Sequence, residues 1–89
     1  MAPHAVAKAG AMVPHLCTLA AIELLAAAQA IDLRGLSAEA LGSGTARAHA
    51  AVRGQVPMLD LDRPQGPDIE TVCVVITGGA LPLADLVAQ

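Results

Sequence analysis

The 89-residue sequence contains no phenylalanine, tyrosine or tryptophan. That removes the side chains that usually bury the most area in a core. It also removes the stacking platforms that single-stranded nucleic acid needs. Basic residues are few, five against eight acidic, for a net charge of −3. With no basic patch, nucleic acid is not an expected partner. The two cysteines, Cys17 and Cys73, form no Cys-x-x-Cys pair. A clustered-thiol metal or redox motif is therefore absent, and two buried thiols in a reducing compartment are the expectation. No charged leader followed by a short apolar run and a cleavage site opens the chain, which favours a cytoplasmic location. The uncharged run Ala9–Ile22 contains Pro14 and His15 and meets Glu23 before reaching ~20 residues, so a membrane span is not expected.

What is present is alanine. Hydrophobic residues make up 55% of the chain, too many for disorder, but 20 of them are Ala and only 24 are Leu, Ile or Val. A chain this short buries only roughly 60–65% of its surface on folding. The composition therefore predicts helices that form easily and a thin core that leans on neighbouring chain.

Residues Ala5 to Leu33 read as one helix, since Leu19–Ile31 is built of strong helix formers. Its apolar residues cover more than one face, as in a helix buried by several neighbours. Arg34 and Gly35 mark its end. Pro14 predicts a kink, or a helix start close to it. Residues 35–44 read as a loop. A second helix fits Thr45–Gln55, capped by Ser43 or Thr45, with Arg47 and Arg53 facing solvent and Pro57 as the stop. Met58–Gly66 reads as a charged turn. Pro67, Asp68 and Glu70 then open a third helix over Ile69–Thr77, ending at Gly78-Gly79. Propensity alone would make the β-branched run Thr71–Thr77 a strand. A short helix over Leu83–Ala88 completes the reading. The predicted class is all-α, a helical hairpin plus one or two short helices.

No residue pattern carries a reaction. His4, His15 and His49 have no carboxylate at metal-binding spacing. Gly42-Ser43-Gly44 lacks the preceding strand and following lysine of a phosphate loop. Asp60 and Asp62 read as turn residues, capping the backbone or meeting Arg63, rather than as an acid–base pair. Nothing suggests a depressed thiol pKa. Residue chemistry gives a small, alanine-rich helical segment without a site.

Three blocks carry a resemblance. Ala21–Arg34 looks like an "AIELL-AAQ-LD-R" helix end. Gly44–Arg53 followed by Val56-Pro57 is the second. Leu59–Pro64 and then Pro67–Glu70 resemble a "D-DRP--PDIE" turn and helix start. In this order and spacing they resemble the C-terminal part of the aromatic amino acid ammonia-lyases of the histidine ammonia-lyase type. They span roughly residues 19–72, and Met1-Ala2-Pro3 resembles the end of that family's "QEDHVSMA" stretch. The resemblance implies that residues 1–89 are an incomplete domain from a long-helix bundle of a cytoplasmic homotetramer. Its parent reaction, in histidine catabolism, is non-oxidative elimination of ammonia from L-histidine to give urocanate.

The family's prosthetic group is a methylidene-imidazolone made from an Ala-Ser-Gly tripeptide, which this sequence lacks. The family's catalytic tyrosines have no counterpart in a chain without Tyr, and the acidic residue of the "QED" stretch would fall before Met1. Hence no catalytic, cofactor-binding or metal residue is assigned, and no cofactor is expected on this segment. The implied partners are the remainder of an ammonia-lyase chain or identical subunits, with neither nucleic acid nor membrane. The alternative is a stand-alone helical interaction module that uses its alanine-rich helix as a packing face.

Overall fold

The computed structural model describes residues 2–79, with side chains from residue 10 onward. Three α-helices and one 3-10 turn follow in order, with no strand among the described residues. These are α1 (Ala2–Leu33), the 3-10 turn (Ala38–Ala40), α2 (Ser43–Arg53) and α3 (Gly66–Thr77). The all-α expectation holds. The helix proposed for Leu83–Ala88 lies outside the described residues.

Helix α1 runs 32 residues straight through Pro14. It does not begin near that proline, as the sequence allowed. Proline removes one backbone donor and crowds the carbonyl four residues back. Here that carbonyl belongs to Gly10, which is exposed, so water can satisfy it. The Thr18 hydroxyl donates to the Pro14 carbonyl at 3.0 Å, adding a local tie across the same stretch. At its other end α1 closes as expected at Gly35, whose φ of 65° is the left-handed conformation glycine tolerates. Gly35 N–H donates to the Asp32 carbonyl (3.0 Å) and Leu36 N–H to the Ile31 carbonyl (3.3 Å). This is the paired closure of a Schellman cap.

The 3-10 turn sits inside the stretch read as a plain loop. Helix α2 starts two residues earlier than predicted, and its N-cap is Gly42 with no side-chain cap bond. Neither Ser43 nor Thr45 caps it. Ser43 already has helical backbone, and a capping side chain must stand just outside the helix. The α2 backbone continues in turns beyond Arg53, with Val56 N–H donating to the Val52 carbonyl at 2.9 Å, before Pro57 ends it.

The β-branched run is helical. Pro67 and Asp68 stand in the first turn of α3, where a missing donor costs nothing and negative charge meets the positive helix end. Ile69, Val72, Cys73 and Ile76 then fall on one side and pack in the core. Those positions form a helical stripe. A strand would send Val72 and Cys73 to opposite faces.

The core gathers where α2 and α3 meet α1. Its buried apolar residues are Ala21, Ala28, Val52, Val56, Val72 and Val75, none larger than valine. Leu24, Leu25, Ile69, Cys73 and Ile76 pack around them half-buried. The accessible surface is 6075 Å². A compact protein of this mass would expose about 4,800 Å². Much of α1 is among the exposed surface. Cys17, Ala21, Leu24 and Ala28 face the core at helical spacing. Met12, Leu16, Leu19, Ile22 and Leu33 make a second apolar stripe on the opposite side, and each is between 45% and 70% exposed. The sequence predicted a helix covered on several faces, and among the described residues only one is covered.

Candidate functional site

The polar residues of α1 build the one organised cluster among the described side chains. Asp32 stands in its last turn, half-buried. Arg53 Nε donates to Asp32 Oδ2 at 2.7 Å, and His49 Nε2 lies 2.8 Å from Asp32 Oδ1. Both partners come from α2, four residues apart and so on one face of it. Arg53 Nη1 also donates to the Val56 carbonyl at 3.0 Å, holding the turn after α2. The Asp32 carboxyl is held below its ordinary value of 3.8, first by the Arg53 hydrogen bond and then by His49, against the opposing effect of burial. The solvent-facing role predicted for Arg53 is therefore wrong. Its side chain is 16% exposed, and its guanidinium donates to Asp32 and Val56. Arg47, on the other face, is exposed as expected.

One turn earlier on α1, Gln29 makes a two-way clamp. Its Nε2 donates to the Leu59 carbonyl at 2.7 Å, and its Oε1 accepts from the Leu59 N–H at 3.1 Å. A side-chain amide can pair with a backbone unit in this way because it carries the same donor and acceptor. The segment between α2 and α3 is thereby pinned to α1. Arg63 gathers the rest of that segment. It donates to Asp68 Oδ2 at 3.1 Å, to the Pro57 carbonyl at 2.8 Å and to the Met58 carbonyl at 3.4 Å. Its acidic partner is thus Asp68 at the start of α3, and neither Asp60 nor Asp62. Asp60 caps its own turn through the Leu61 N–H at 2.8 Å, one of the two roles expected of it.

Between these clamps lies a cleft of about 280 Å³, floored by Ile22, Leu25 and Ile69 and edged by Gln29, Arg53 and Arg63. Its charged edges are already paired, which leaves no nucleophile, base or unpaired cation facing it. His15 is exposed on α1, and His49 is the carboxylate partner described above. Among the described residues no three His, Cys, Asp or Glu side chains come together as metal ligands. The arrangement joins α1 to α2 and to the segment before α3.

Sequence reasoning missed Asp32 and Gln29 as the centre of the cluster. The signal was available, since both are polar residues set in an alanine-rich helix, and a polar group there needs a partner. The clamps also explain why the three resembling blocks occur together. Asp32 closes the first, His49 and Arg53 lie in the second, and Arg63 and Asp68 in the third.

A model of the aromatic amino acid lyase family matches residues 1–54. The histidine ammonia-lyase of Anaeromyxobacter sp. (strain K) is 45% identical over 76 residues, which is 85% of this chain and 15% of that protein. That of Natranaerobius thermophilus is 51% identical over 61 residues, 68% of this chain and 12% of the relative. That of Symbiobacterium thermophilum is 38% identical over 84 residues, 94% of this chain and 16% of the relative, so this match takes in α2 and α3 as well as most of α1. The chain spans about 15% of the length of such relatives. No solved structure matches it. By its matched residues the chain belongs to the aromatic amino acid lyase family.

Proposed function

We propose that the chain is the C-terminal helical segment of an enzyme of the histidine ammonia-lyase type and that its role is structural. In this reading the parent enzyme eliminates ammonia from L-histidine to give urocanate. The methylidene-imidazolone that performs the elimination is supplied by other parts of the parent. The segment, an incomplete domain, lends α1 to a helix bundle and to contacts among four identical subunits in the cytoplasm. The observation that carries the reading is the second apolar stripe of α1. Met12, Leu16, Leu19, Ile22 and Leu33 are more exposed than a finished protein leaves a row of large apolar side chains.

A bilayer is the competing cover for that stripe. Gly10–Leu33 is 24 residues long and contains an 18-residue stretch of mean hydropathy 1.7, long and apolar enough to cross a membrane. Gln29 and Asp32 favour the bundle. They tie α1 to Leu59, His49 and Arg53, and a spanning helix would have to take those polar partners out of water with it.

The segment alone is read as inactive, because the sequence has neither tyrosine nor the Ala-Ser-Gly tripeptide. The test is to incubate the purified chain with L-histidine and follow urocanate absorbance. The expected result is no urocanate above the enzyme-free rate. Steady formation that scales with protein concentration would overturn the reading.

A further inference from the structure

Cys17 and Cys73 are 56 positions apart in the chain, and the fold brings them to one point between α1 and α3. The Cys17 Sγ donates to the Cys73 carbonyl oxygen at 3.7 Å, and the Cys73 side chain is close enough to raise the Cys17 pKa. Both are free and half-buried. Closely packed helix axes usually lie 8–10 Å apart, set by the size of the contact residues. Here the contact is made by small ones, with Ala21 wholly buried one turn along α1 from Cys17. A disulfide needs Cα atoms within about 7 Å of each other. The Cys17 sulfur touches the backbone of residue 73 itself, which puts the two residues side by side across the contact of α1 with α3.

We propose that Cys17 and Cys73 are a redox-sensitive pair that closes into an intramolecular disulfide, stapling α1 to α3, when a small-molecule disulfide serves as oxidant. One cysteine thiolate attacks the small disulfide, forming a mixed disulfide and releasing one small thiolate. The other cysteine thiolate attacks the protein sulfur of that mixed disulfide and releases the second. Two electrons pass from the cysteine sulfurs to the small disulfide. The two cysteine protons go to solvent and to the released thiolates. In a reducing compartment the pair rests as thiols, and intracellular disulfides of this kind are transient and redox-sensing. Cys17 is suited to that resting state. Its hydrogen bond to Cys73, then burial and the nearby Cys73 charge, hold its pKa above the ordinary 9.0, so little thiolate is present at neutral pH.

The experiment equilibrates the purified chain with mixtures of reduced and oxidised glutathione, traps the thiols by alkylation and weighs the products. It is run in native buffer and in concentrated guanidinium chloride. The proposal predicts a product lighter by two hydrogens, still monomeric under denaturing conditions. Its effective concentration should be at least tenfold higher in native buffer than in denaturant, because only the fold holds the sulfurs together. A Cys73→Ser chain should give a single glutathione adduct and no ring. Equal effective concentrations in the two solvents would overturn the proposal. So would glutathione adducts or interchain disulfides as the main native products.

Discussion

Replacing Asp32 with alanine is expected to cost roughly 2–3 kcal/mol, since hydrogen bonds to charged groups contribute about 1.5–3 kcal/mol each and two are lost together. Two effects combine. The α1–α2 tie disappears, and His49 and Arg53 are left without their acceptor in positions only 22% and 16% exposed. The residual exposure keeps the loss below that of a fully buried pair. In a fold this small the loss corresponds to a fall in melting temperature of roughly 10–20 °C. Thermal melts followed by circular dichroism would measure it. Asp32→Asn, which keeps the shape and an acceptor, should lose less.

The same residue gives the fold its acid sensitivity. Its folded-state pKa lies below the ordinary 3.8. Its contribution is therefore fully present above that value and is lost as pH falls through the lower, folded one. Melts at pH 7 and pH 3 should show a smaller drop for Asp32→Asn than for the natural chain. An equal drop would place the acid-sensitive group elsewhere.

Replacing Ala21 with leucine should be the most damaging change of size. Ala21 is 0% exposed and lies in the cluster with Val52, Val56 and Val72. Nothing there leaves room for three more carbons, so α1 must move off its neighbours, at a cost of about 1–3 kcal/mol. Ala30→Leu, on the exposed side of the same helix, should change stability by no more than about 0.5 kcal/mol. Leucine and alanine have similar helix propensity, so the difference between the two variants isolates packing. Urea midpoints of both variants would measure it. Equal effects would mean that the small residues of α1 do not set the distance to α3.

Much of the fold was legible because its signals are local. Gly35 announces the end of α1, Pro67 and Asp68 the start of α3, and the alanine-rich run the helix between residues 19 and 31. Where the reading failed, the deciding partner was distant or was water. Pro14 looked like a place where α1 could begin, because propensity does not register that Gly10 faces solvent. Ser43 and Thr45 looked like caps because both have the right side chain, and only the backbone shows that α2 opens from Gly42. Arg53 looked like a solvent residue because its acceptor, Asp32, is 21 positions away on another helix. The candidate site was the least legible part. Periodicity locates apolar stripes, but the pairing of Gln29 with Leu59, or of Arg63 with Asp68 rather than Asp60 or Asp62, exists only once the elements are packed. The three family blocks were visible as a pattern, and their meeting around the end of α1 was not.

We propose that the second apolar stripe of α1, open among the described residues, is a face that other chain covers. Equilibrium sedimentation of the purified chain, paired with a melt of the same sample, tests it most directly. A self-associated species well above 8.9 kDa that melts cooperatively is the expected result. A monomer of 8.9 kDa that melts in one sharp cooperative step would contradict it.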